Sequence, residues 1–335
     1  MRILLTGATG FLGSQLAETL GAAGHALRLL VRSPEKALRL LGARGLRFET
    51  CAGDMADAGA VARALEGCDA AVHAAATMYG GDEVLAANVA GVRHVLGGAH
   101  ARGLDPIVHV STVAAIYPPR GPVLTVDDPV ASLASTYGRS KAEGERIARE
   151  LQARGAPVVI LYPGGIYGPG DPGPGETLKG LRDALRFGWP ITRGGVSLVD
   201  VRDVARIAAA CLEPGRGPRR YMATGHFLAW SELADLCQEL TGTRARRIPA
   251  PAPLLRLAGR LLDGVRRLVP FEYPLTHEAA LLMTDMRPGD SAATREELGV
   301  GFRAVRETLA DSIRWLHRSG ELDARIAGRL AEGPG

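Results

Sequence analysis

The chain has 335 residues, a length that favours an α/β domain carrying a smaller second lobe over a single sandwich or bundle. Hydrophobic residues make up 46% and charged residues 23%, a balance that excludes extensive disorder. The net charge of +4 comes from scattered arginines, which argues against a nucleic-acid-binding protein. The four cysteines lack metal-ligand spacing and the first apolar run is too short for a signal peptide, so we expect a reduced, cytoplasmic protein without a metal.

Short β-branched or leucine-rich runs alternate with helical patterns through the first half of the chain. This alternation is typical of βαβ units and predicts an α/β fold with a doubly wound parallel sheet. The predicted strands lie near 2–6, 26–31, 46–50, 69–74, 106–111 and 157–162. The predicted helices lie near 11–23, 34–42, 57–65, 82–102 and 136–154. Such sheets bind ligands at the carboxyl ends of their strands, so motifs at those ends carry the functional prediction.

A Gly/Pro-rich stretch at 163–175 breaks this pattern and predicts a crossing between two lobes. A strand and a helix around 198–212 look like a return to the sheet, and 226–320 reads as mostly helical. We therefore predict two interleaved lobes and a short tail. They are a cofactor-binding domain at 1–163 with about 197–225, a substrate-binding lobe at 164–196 with about 226–330, and a tail at 331–335.

The first strand runs into a glycine-rich turn that opens the first helix, Gly7-Ala8-Thr9-Gly10-Phe11-Leu12-Gly13. Glycines at this spacing let the backbone turn, approach a pyrophosphate and pack on the sheet, while the helix N-terminus offers N–H groups. A bare turn is the structural alternative. The position in the first βαβ unit favours dinucleotide binding. The residues predicted to contact the cofactor here are Gly7, Thr9, Gly10, Phe11, Leu12 and Gly13.

The second strand ends in a basic segment, where an NAD enzyme usually presents an acid to the ribose hydroxyls. Arg32 and Lys36 can instead contact a 2′-phosphate, and Ser33 lies between them as the N-cap of the next helix. We therefore predict NADP(H) as the cofactor and keep NAD(H) as the second choice. A solvated surface pair is the alternative for the two basic residues.

The strongest catalytic signal is the segment Thr136-Tyr137-Gly138-Arg139-Ser140-Lys141. Tyr137 and Lys141 project from one helix face, so the ammonium group can favour the phenolate of a tyrosine whose ordinary pKa of about 10 makes it a poor base. Tyr137 can then give a proton to a carbonyl oxygen or accept one from an alcohol. A tyrosine packed against a lysine stem is the structural alternative.

Together these motifs resemble the extended short-chain dehydrogenase/reductase family over residues 1 to about 225. The segments 31–34 and 111–115 are most similar to its dihydroflavonol-reductase-like and 3β-hydroxysteroid-dehydrogenase-like branch. The resemblance implies a Rossmann fold that binds NADP(H) and a smaller, mostly helical C-terminal substrate lobe. It also implies that Thr112, or Ser111 if the alignment shifts by one, hydrogen-bonds the substrate oxygen. Asn88 matches the family's asparagine that completes the active-site tetrad or supports the cofactor.

Further cofactor contacts follow from the same resemblance. The acid after the third strand, Asp54, resembles the one that binds the adenine amino group, and a turn residue is the alternative. His73 has no obvious partner in the sequence, so we expect a packed strand histidine. The other residues that the resemblance places along the cofactor are Met55, Ala74, Ala75, Ala76, Pro163, Gly164, Gly165 and Ile166.

Three departures from the family pattern favour a reductase. Val113-Ala114 stands where sugar-nucleotide dehydratases need an Asp-Glu pair, and Gly165 stands where many sugar-nucleotide enzymes have asparagine. Arg32 favours NADP(H), which suits net reduction. We therefore expect an NADP(H)-dependent oxidoreductase that reduces a ketone or aldehyde of an apolar small molecule, or oxidises the alcohol. A sugar-nucleotide epimerase is the alternative, and a non-enzymatic NADP(H)-sensing regulator is a remote one.

The second lobe is less informative. The segment 253–268 is a basic amphipathic helix whose leucine face we expect to cap an apolar pocket, with contact to an anionic membrane surface as the alternative. The resemblance also implies a homodimer through the helices near 82–102 and 136–154. Candidate pocket residues, each with core packing as the alternative, are Tyr167, Trp189, Phe227 and Phe271.

Overall fold

The structure is a computed structural model that describes residues 1–78, 80–131, 135–266 and 276–332. Within these ranges the strands are β1 (Arg2–Thr6), β2 (Ala26–Val31), β3 (Glu49–Ala52), β4 (Ala70–His73), β5 (Ile107–Val110), β6 (Val158–Pro163), β7 (Gly165–Tyr167), β8 (Trp189–Ile191), β9 (Gly195–Asp200), β10 (Arg219–Ala223), β11 (His226–Ala229) and β12 (Arg247–Pro249).

The α-helices of the same ranges begin and end as follows. They are α1 (Phe11–Ala22), α2 (Pro34–Leu41), α3 (Ala58–Leu65), α4 (Asp82–Ala101), α5 (Thr136–Ala153), α6 (Glu176–Phe187), α7 (Val201–Ala210), α8 (Trp230–Thr241), α9 (Ala252–Arg266), α10 (His277–Asp285), α11 (Ala292–Leu298), α12 (Val305–Arg318) and α13 (Ala324–Ala327).

The main sheet has the strand order β3-β2-β1-β4-β5-β6-β10, and every neighbouring pair is parallel. Helices cover both of its faces, which explains why the central strands are continuous apolar runs. One core lies under α3, α4 and α5, and the other lies under α1, α2 and α7. This architecture confirms the predicted doubly wound parallel sheet. The order reverses between β1 and β4, the point where such sheets bind ligands.

Two predicted strands differ in detail from the observed ones. The third strand lies at Glu49–Ala52 rather than near 46–50, because Glu49 pairs with Arg28 and sets the register with β2. The strand expected around 198 exists as β9, but it pairs with β7 and β11 in a separate three-stranded sheet. The chain returns to the main sheet at β10 instead.

A third core belongs to the C-terminal half of the chain, which is mostly helical as predicted. It is formed by α6, α8 and α12 around the three-stranded sheet. Tyr167 and Trp189 are buried in this core, which is the core packing given as the alternative for both. The boundaries of the two lobes stay a prediction.

The helix predicted at 253–268 is observed as α9, but its orientation is different from the expected one. It packs on α10 through the side that carries Gly259, and Leu254, Leu257 and Leu261 are exposed. The expectation that the leucine face turns inward is therefore wrong, because the close contact at Gly259 turns the opposite side to α10. Residues 267–268 and the candidate pocket residue Phe271 lie outside the described residues.

Candidate active site

The glycine turn after β1 is pressed against the chain that follows β4. Gly7 has φ +79°, and a methyl group added to it would lie 2.8 Å from the backbone of Ala74 and Ala75. A methyl group at Gly13 would overlap the carbonyl oxygen of Gly7. Both positions therefore require glycine, and the turn joins the two strands at the reversal of the sheet order.

The same turn leaves the N-terminus of α1 open to an anion. Gly10 is the exposed N-cap residue and has no side chain to cap the helix, and its own N–H donates to Gly7 O at 2.9 Å. A methyl group at Gly10 would meet only that oxygen, at 3.4 Å. Thr9 and Leu12 flank the turn, and Phe11 packs against the C-terminal core. Open space at a helix N-terminus fits the pyrophosphate of a dinucleotide.

The predicted cofactor-selecting residues lie at the carboxyl end of β2. The side chain of Arg32 is 78% exposed, and its Nε lies 4.0 Å from Asp54 Oδ2. Ser33 caps α2 as the sequence predicts, because its Oγ accepts a hydrogen bond from Lys36 N at 3.2 Å. Lys36 is exposed in the first turn of that helix. This edge fits a 2′-phosphate, since a guanidinium is available for it.

Asp54 and Met55 follow β3 and have local roles of their own. Asp54 Oδ1 accepts a hydrogen bond from Ala56 N at 2.9 Å, so the turn role proposed as the alternative is real. Asp54 is still partly exposed beside Arg32. Met55 packs over Gly91 of α4, where a methyl group would come within 2.7 Å of its sulfur.

His73 at the end of β4 has partners that the sequence did not reveal. Its Nδ1 lies 2.8 Å from Thr6 Oγ1, and its ring stacks on that of His109 with centroids 5.6 Å apart. Burial, with a smaller effect of Lys141, lowers the pKa of His73 to about 3. Burial, then His73 and Lys141, hold the pKa of His109 well below its usual range. Both rings are therefore neutral at neutral pH.

Asn88 holds the chain after β4 against two helices. Its Oδ1 accepts from Thr77 N at 2.9 Å, and its Nδ2 donates to Thr77 O at 2.8 Å and to Ser140 Oγ at 3.1 Å. Ser140 Oγ in turn donates to Tyr137 O at 2.7 Å. Asn88 thus connects α4 to the catalytic segment of α5, as a supporting residue of the predicted tetrad would.

A small cavity brings the predicted cofactor and catalytic residues together. Ala75 and Ala76 of the cofactor set share its wall with Asn88 and Lys141 of the catalytic set. Its lining residues are Ala75, Ala76, Asn88, Val92, His109, Ser140, Lys141 and Gly144. Motifs that are 66 residues apart in the chain therefore converge at one edge of the sheet, as the family pattern predicts.

Tyr137 and Lys141 share one face of α5, with Lys141 Nζ 5.8 Å from the centre of the tyrosine ring. Burial, followed by the negative charge of Glu278, raises the pKa of Tyr137 to about 12. Burial lowers the pKa of Lys141 to about 8, while Glu145 acts in the opposite direction. Desolvation and Glu278 thus both favour the neutral phenol, and the bias toward the phenolate, which Lys141 and an oxidised nicotinamide would together provide, stays a prediction.

Glu278 is a residue of the site that sequence reasoning missed. It lies on α10, and its Oε2 accepts a hydrogen bond from Ser135 N at 3.1 Å. Ser135 is the N-cap of α5 and also accepts from Gly138 N at 2.9 Å. No local pattern could reveal Glu278, because 141 residues separate it from Tyr137 and only the packing of α10 brings the two together.

The two hydroxyl residues after β5 have different environments. Ser111 is buried, and its Oγ donates to Glu145 Oε2 at 2.7 Å. Thr112 is partly exposed, and its Oγ1 accepts from Ala114 N at 3.3 Å. Because the hydroxyl of Ser111 already donates to the buried carboxylate of Glu145, Thr112 is the better placed of the two to bind a substrate oxygen. Its role stays a prediction.

The segment from Pro163 to Ile166 carries the chain from the main sheet to the three-stranded sheet. Pro163 pairs with Ala223, and Gly165 and Ile166 pair with β9. A methyl group at Gly164 would lie 2.5 Å from Ser197 O, so this crossing requires glycine. The predicted nicotinamide-side contacts therefore lie at the junction of the two sheets.

An apolar cavity of about 150 Å³ lies beside this junction. Aliphatic, methionine and tryptophan side chains dominate its wall, and Trp230 is fixed by donating Nε1–H to Met283 O at 2.8 Å. The lining residues are Val113, Gly165, Gly195, Val196, Ser197, Trp230, Leu282, Met283 and Met286. Of the aromatic residues expected in the pocket, Phe227 is instead exposed on β11.

Comparison with known proteins agrees with this geometry. The model of the NAD dependent epimerase/dehydratase family matches residues 3–223. The chain is 30% identical to sterol demethylase protein B of Methylococcus capsulatus, over 96% of this chain and 99% of the relative. It is also 30% identical to a 4-hydroxy-2-methyl-3-oxo-4-farnesyl-3,4-dihydroquinoline-1-oxide ketoreductase of Stigmatella aurantiaca, over 96% of this chain and 98% of the relative.

Solved structures share the whole architecture. The crystal structure of gox2253 superposes with a TM-score of 0.81 at 26% identity and covers 96% of this chain and 99% of its own. A nucleoside-diphosphate-sugar epimerase of Pseudomonas aeruginosa, PA4631, superposes with a TM-score of 0.75 at 26% identity and covers 96% of this chain and 99% of its own. This chain therefore belongs to the NAD-dependent epimerase/dehydratase family, within the extended short-chain dehydrogenases/reductases.

Proposed function

We propose that the protein is an NADP(H)-dependent oxidoreductase that reduces a ketone or aldehyde of an apolar small molecule. The observation that carries the proposal is the apolar wall of the cavity, in which Val113, Leu282 and Met286 face the space beside Gly165. A wall of this kind favours hydrocarbon over hydroxyl-rich substrates, because unpaired polar groups are costly to bury. The names of the two relatives support the same substrate class, since one mentions a sterol and the other an oxo compound with a farnesyl group.

The protonation state of Tyr137 supports reduction as the main direction. With a pKa of about 12 the phenol keeps its proton at neutral pH and can donate it to a carbonyl oxygen. The bound nicotinamide cofactor supplies the hydride. Thr112 would hold the carbonyl oxygen, and the ammonium group of Lys141 would stabilise the negative charge that develops there.

The reaction is tested by following NADPH absorbance with ketones and aldehydes of sterol-like, prenyl or long-chain character, and with hydrophilic carbonyls for comparison. We expect turnover of the apolar group and a drop in kcat of about 10²–10⁴ in Tyr137→Phe, since the general acid is lost. Tyr221→Phe is the matched control, because Tyr221 only donates to Glu297 on α11. Undiminished turnover in Tyr137→Phe would refute the assignment of the proton donor.

The preference for NADP(H) is a separate part of the proposal and depends on Arg32. We expect Arg32→Asp to weaken NADPH binding by about tenfold or more while NADH binding is kept, because a charge-assisted contact to the 2′-phosphate is lost. Arg39→Asp on the exposed side of α2 is the control. Dissociation constants measured by cofactor fluorescence test this expectation. An equal loss of affinity for NADPH and NADH in Arg32→Asp would contradict it.

A sugar-nucleotide epimerase is the second candidate, because the description of the matched family includes epimerases. An epimerase would interconvert two sugar nucleotides without net change in the cofactor. The apolar cavity argues against it, and so does Gly165, which stands where many sugar-nucleotide enzymes have asparagine. Sugar-nucleotide conversion together with no turnover of apolar carbonyls would favour this candidate over the reductase.

A further inference from the structure

Among the described residues, the contacts of helix α9 with the rest of the molecule lie on one side of the helix. Gly259 lies so close to the start of α10 that a methyl group there would be 2.7 Å from Thr276 O. Arg256 Nε donates to Thr284 Oγ1 at 2.9 Å. One turn further along, Asp263 Oδ2 accepts from His277 N at 2.9 Å. These contacts fix which side of α9 faces the protein and therefore which side faces outward.

The outward side carries a continuous row of apolar side chains, which we call the α9 stripe: Leu254, Leu257, Leu261 and Val265. Their exposures are 64%, 52%, 63% and 47%. Spacings of three and four residues put them on one helix face. In the described part of the chain, the other exposed large apolar side chains lie in separate elements or loops. A row of this kind marks an interaction surface, because single exposed leucines are common and contiguous ones are not.

The charge around the stripe indicates what it contacts. Arg260 is exposed next to the stripe, and the segment 253–268 contains four arginines and one aspartate. A helix with an apolar face bordered by basic residues binds the boundary of an anionic bilayer, where the leucines enter the acyl region and the arginines meet the headgroups. A symmetric contact with a second copy would instead bring two positively charged helices together. Among the described residues, no helix combines the length and the apolar character that a membrane span requires.

We propose that the α9 stripe docks this protein on the surface of an anionic lipid bilayer. The docking helix packs on α10, and α10 supplies Leu282, Met283 and Met286 to the apolar cavity. A bilayer held by α9 thus lies next to the helix that lines the presumed substrate site. The docking itself does not depend on the proposed reaction, since it uses none of the residues assigned to catalysis.

The test measures co-sedimentation of the full-length protein with phosphatidylcholine vesicles, with and without phosphatidylglycerol. We expect binding to the anionic vesicles that weakens as salt is added. Leu257→Ser/Leu261→Ser should lower the partition coefficient by about tenfold or more, since both leucines leave the acyl region. Arg260→Glu should lower it by about tenfold on anionic vesicles only. Leu38→Ser and Phe187→Ser remove exposed apolar side chains elsewhere and should bind like the wild type.

Three outcomes would overturn the proposal. The first is a wild-type protein that stays in the supernatant with anionic vesicles. The second is unchanged binding of the double leucine variant. The third is a wild-type dimer that the double variant converts to a monomer without vesicle binding, which would assign the stripe to a second copy. Circular dichroism checks that the variants fold, and these exposed positions should tolerate serine. Tyr137→Phe should bind vesicles normally, so failure of the proposed reaction and failure of docking are distinguishable.

Discussion

Burial moves the pKa values of the two central side chains in opposite directions. The pKa of Lys141 falls to about 8 and the pKa of Tyr137 rises to about 12, because a low-dielectric surrounding penalises both the ammonium and the phenolate. At neutral pH both groups keep their protons. As the pH rises, Lys141 is therefore the first of the pair to change its charge.

The first prediction follows from that order. In the reductive direction kcat/KM should fall as the pH rises through about 8, because the ammonium of Lys141 no longer stabilises the developing oxyanion. Lys141→Arg should be less active but should lack this limb, since a guanidinium stays charged to above about pH 12. Lys179→Arg on α6 is the matched control and should keep the wild-type profile. An unchanged limb in Lys141→Arg would assign the titration to another group.

The stacked pair His73 and His109 makes the fold sensitive to acid. The folded-state pKa of His73 is about 3 and that of His109 lies well below its usual range, so in the window below about pH 6.5 the unfolded chain binds protons that the two folded rings do not. The free energy of unfolding should therefore fall as the pH falls through this window. Each histidine contributes a slope of up to about 1.4 kcal/mol per pH unit.

The second prediction isolates one ring of this pair. His109→Phe keeps an aromatic ring for stacking, and it loses no hydrogen bond at Nδ1 to the described residues, among which that buried atom has no partner. The free energy of unfolding of this variant at neutral pH should be close to that of the wild type. Toward low pH it should fall less steeply, by the slope that the uptake of one proton contributes. Urea unfolding at a series of pH values measures both, with the exposed His226→Gln as control. Equal slopes in His109→Phe and wild type would refute the assignment.

Helix α5 is held on the sheet by a polar network around the fully buried Glu145. Ser111, directly after β5, donates to it at 2.7 Å, Tyr162 of β6 at 2.5 Å and Arg149 at 2.7 Å. The carboxylate is thus the acceptor for two strands and for its own helix. Because this helix carries Tyr137 and Lys141, the network also fixes the position of the predicted catalytic pair.

The third prediction removes the cation of this network. Arg149→Met leaves a buried carboxylate without its counter-charge, and the free energy of unfolding should drop by about 3 kcal/mol. Arg146→Met, three residues earlier on the same helix, breaks only the exposed pair with Glu143 and should cost less than about 1 kcal/mol. Denaturant unfolding of the two variants gives the comparison. Similar losses in both would mean that the buried pair adds nothing beyond a surface pair.

The helices and strands of the first half could be predicted because their signals are local. Apolar periodicity located α1 to α5 to within one or two residues, and a four-residue spacing paired Tyr137 with Lys141. The features that the sequence did not predict depend on packing between parts of the chain that are far apart in sequence. The sheet to which β9 belongs, the outward face of α9 and the contact of Glu278 with α5 all depend on the placement of the C-terminal half, which no short pattern encodes.

At the scale of the whole molecule, cofactor binding links the open turn after β1 to global stability. A ligand that binds only the folded state stabilises it by about 2.7 kcal/mol at a hundred times its dissociation constant. We expect NADPH to raise the midpoint of thermal unfolding more than NADH at equal concentration. Arg32→Asp should abolish this difference and Arg39→Asp should keep it. A larger shift with NADH in the wild type would reverse the proposed preference.

Much of the cavity wall comes from elements other than α5, the helix that carries Tyr137. Trp230 belongs to α8, Met283 and Met286 lie on or just after α10, and Tyr137 belongs to α5. Substitutions of these wall residues should therefore leave the position of Tyr137 on α5 unchanged. In a directed-evolution library, randomising Leu282, Met283 and Met286 should redistribute the accepted carbonyl compounds among variants that all still oxidise NADPH. The proposed substrate wall on α8 and α10 and the proposed proton donor on α5 thus lie on different elements. Substrate preference can therefore change while the reaction type is kept.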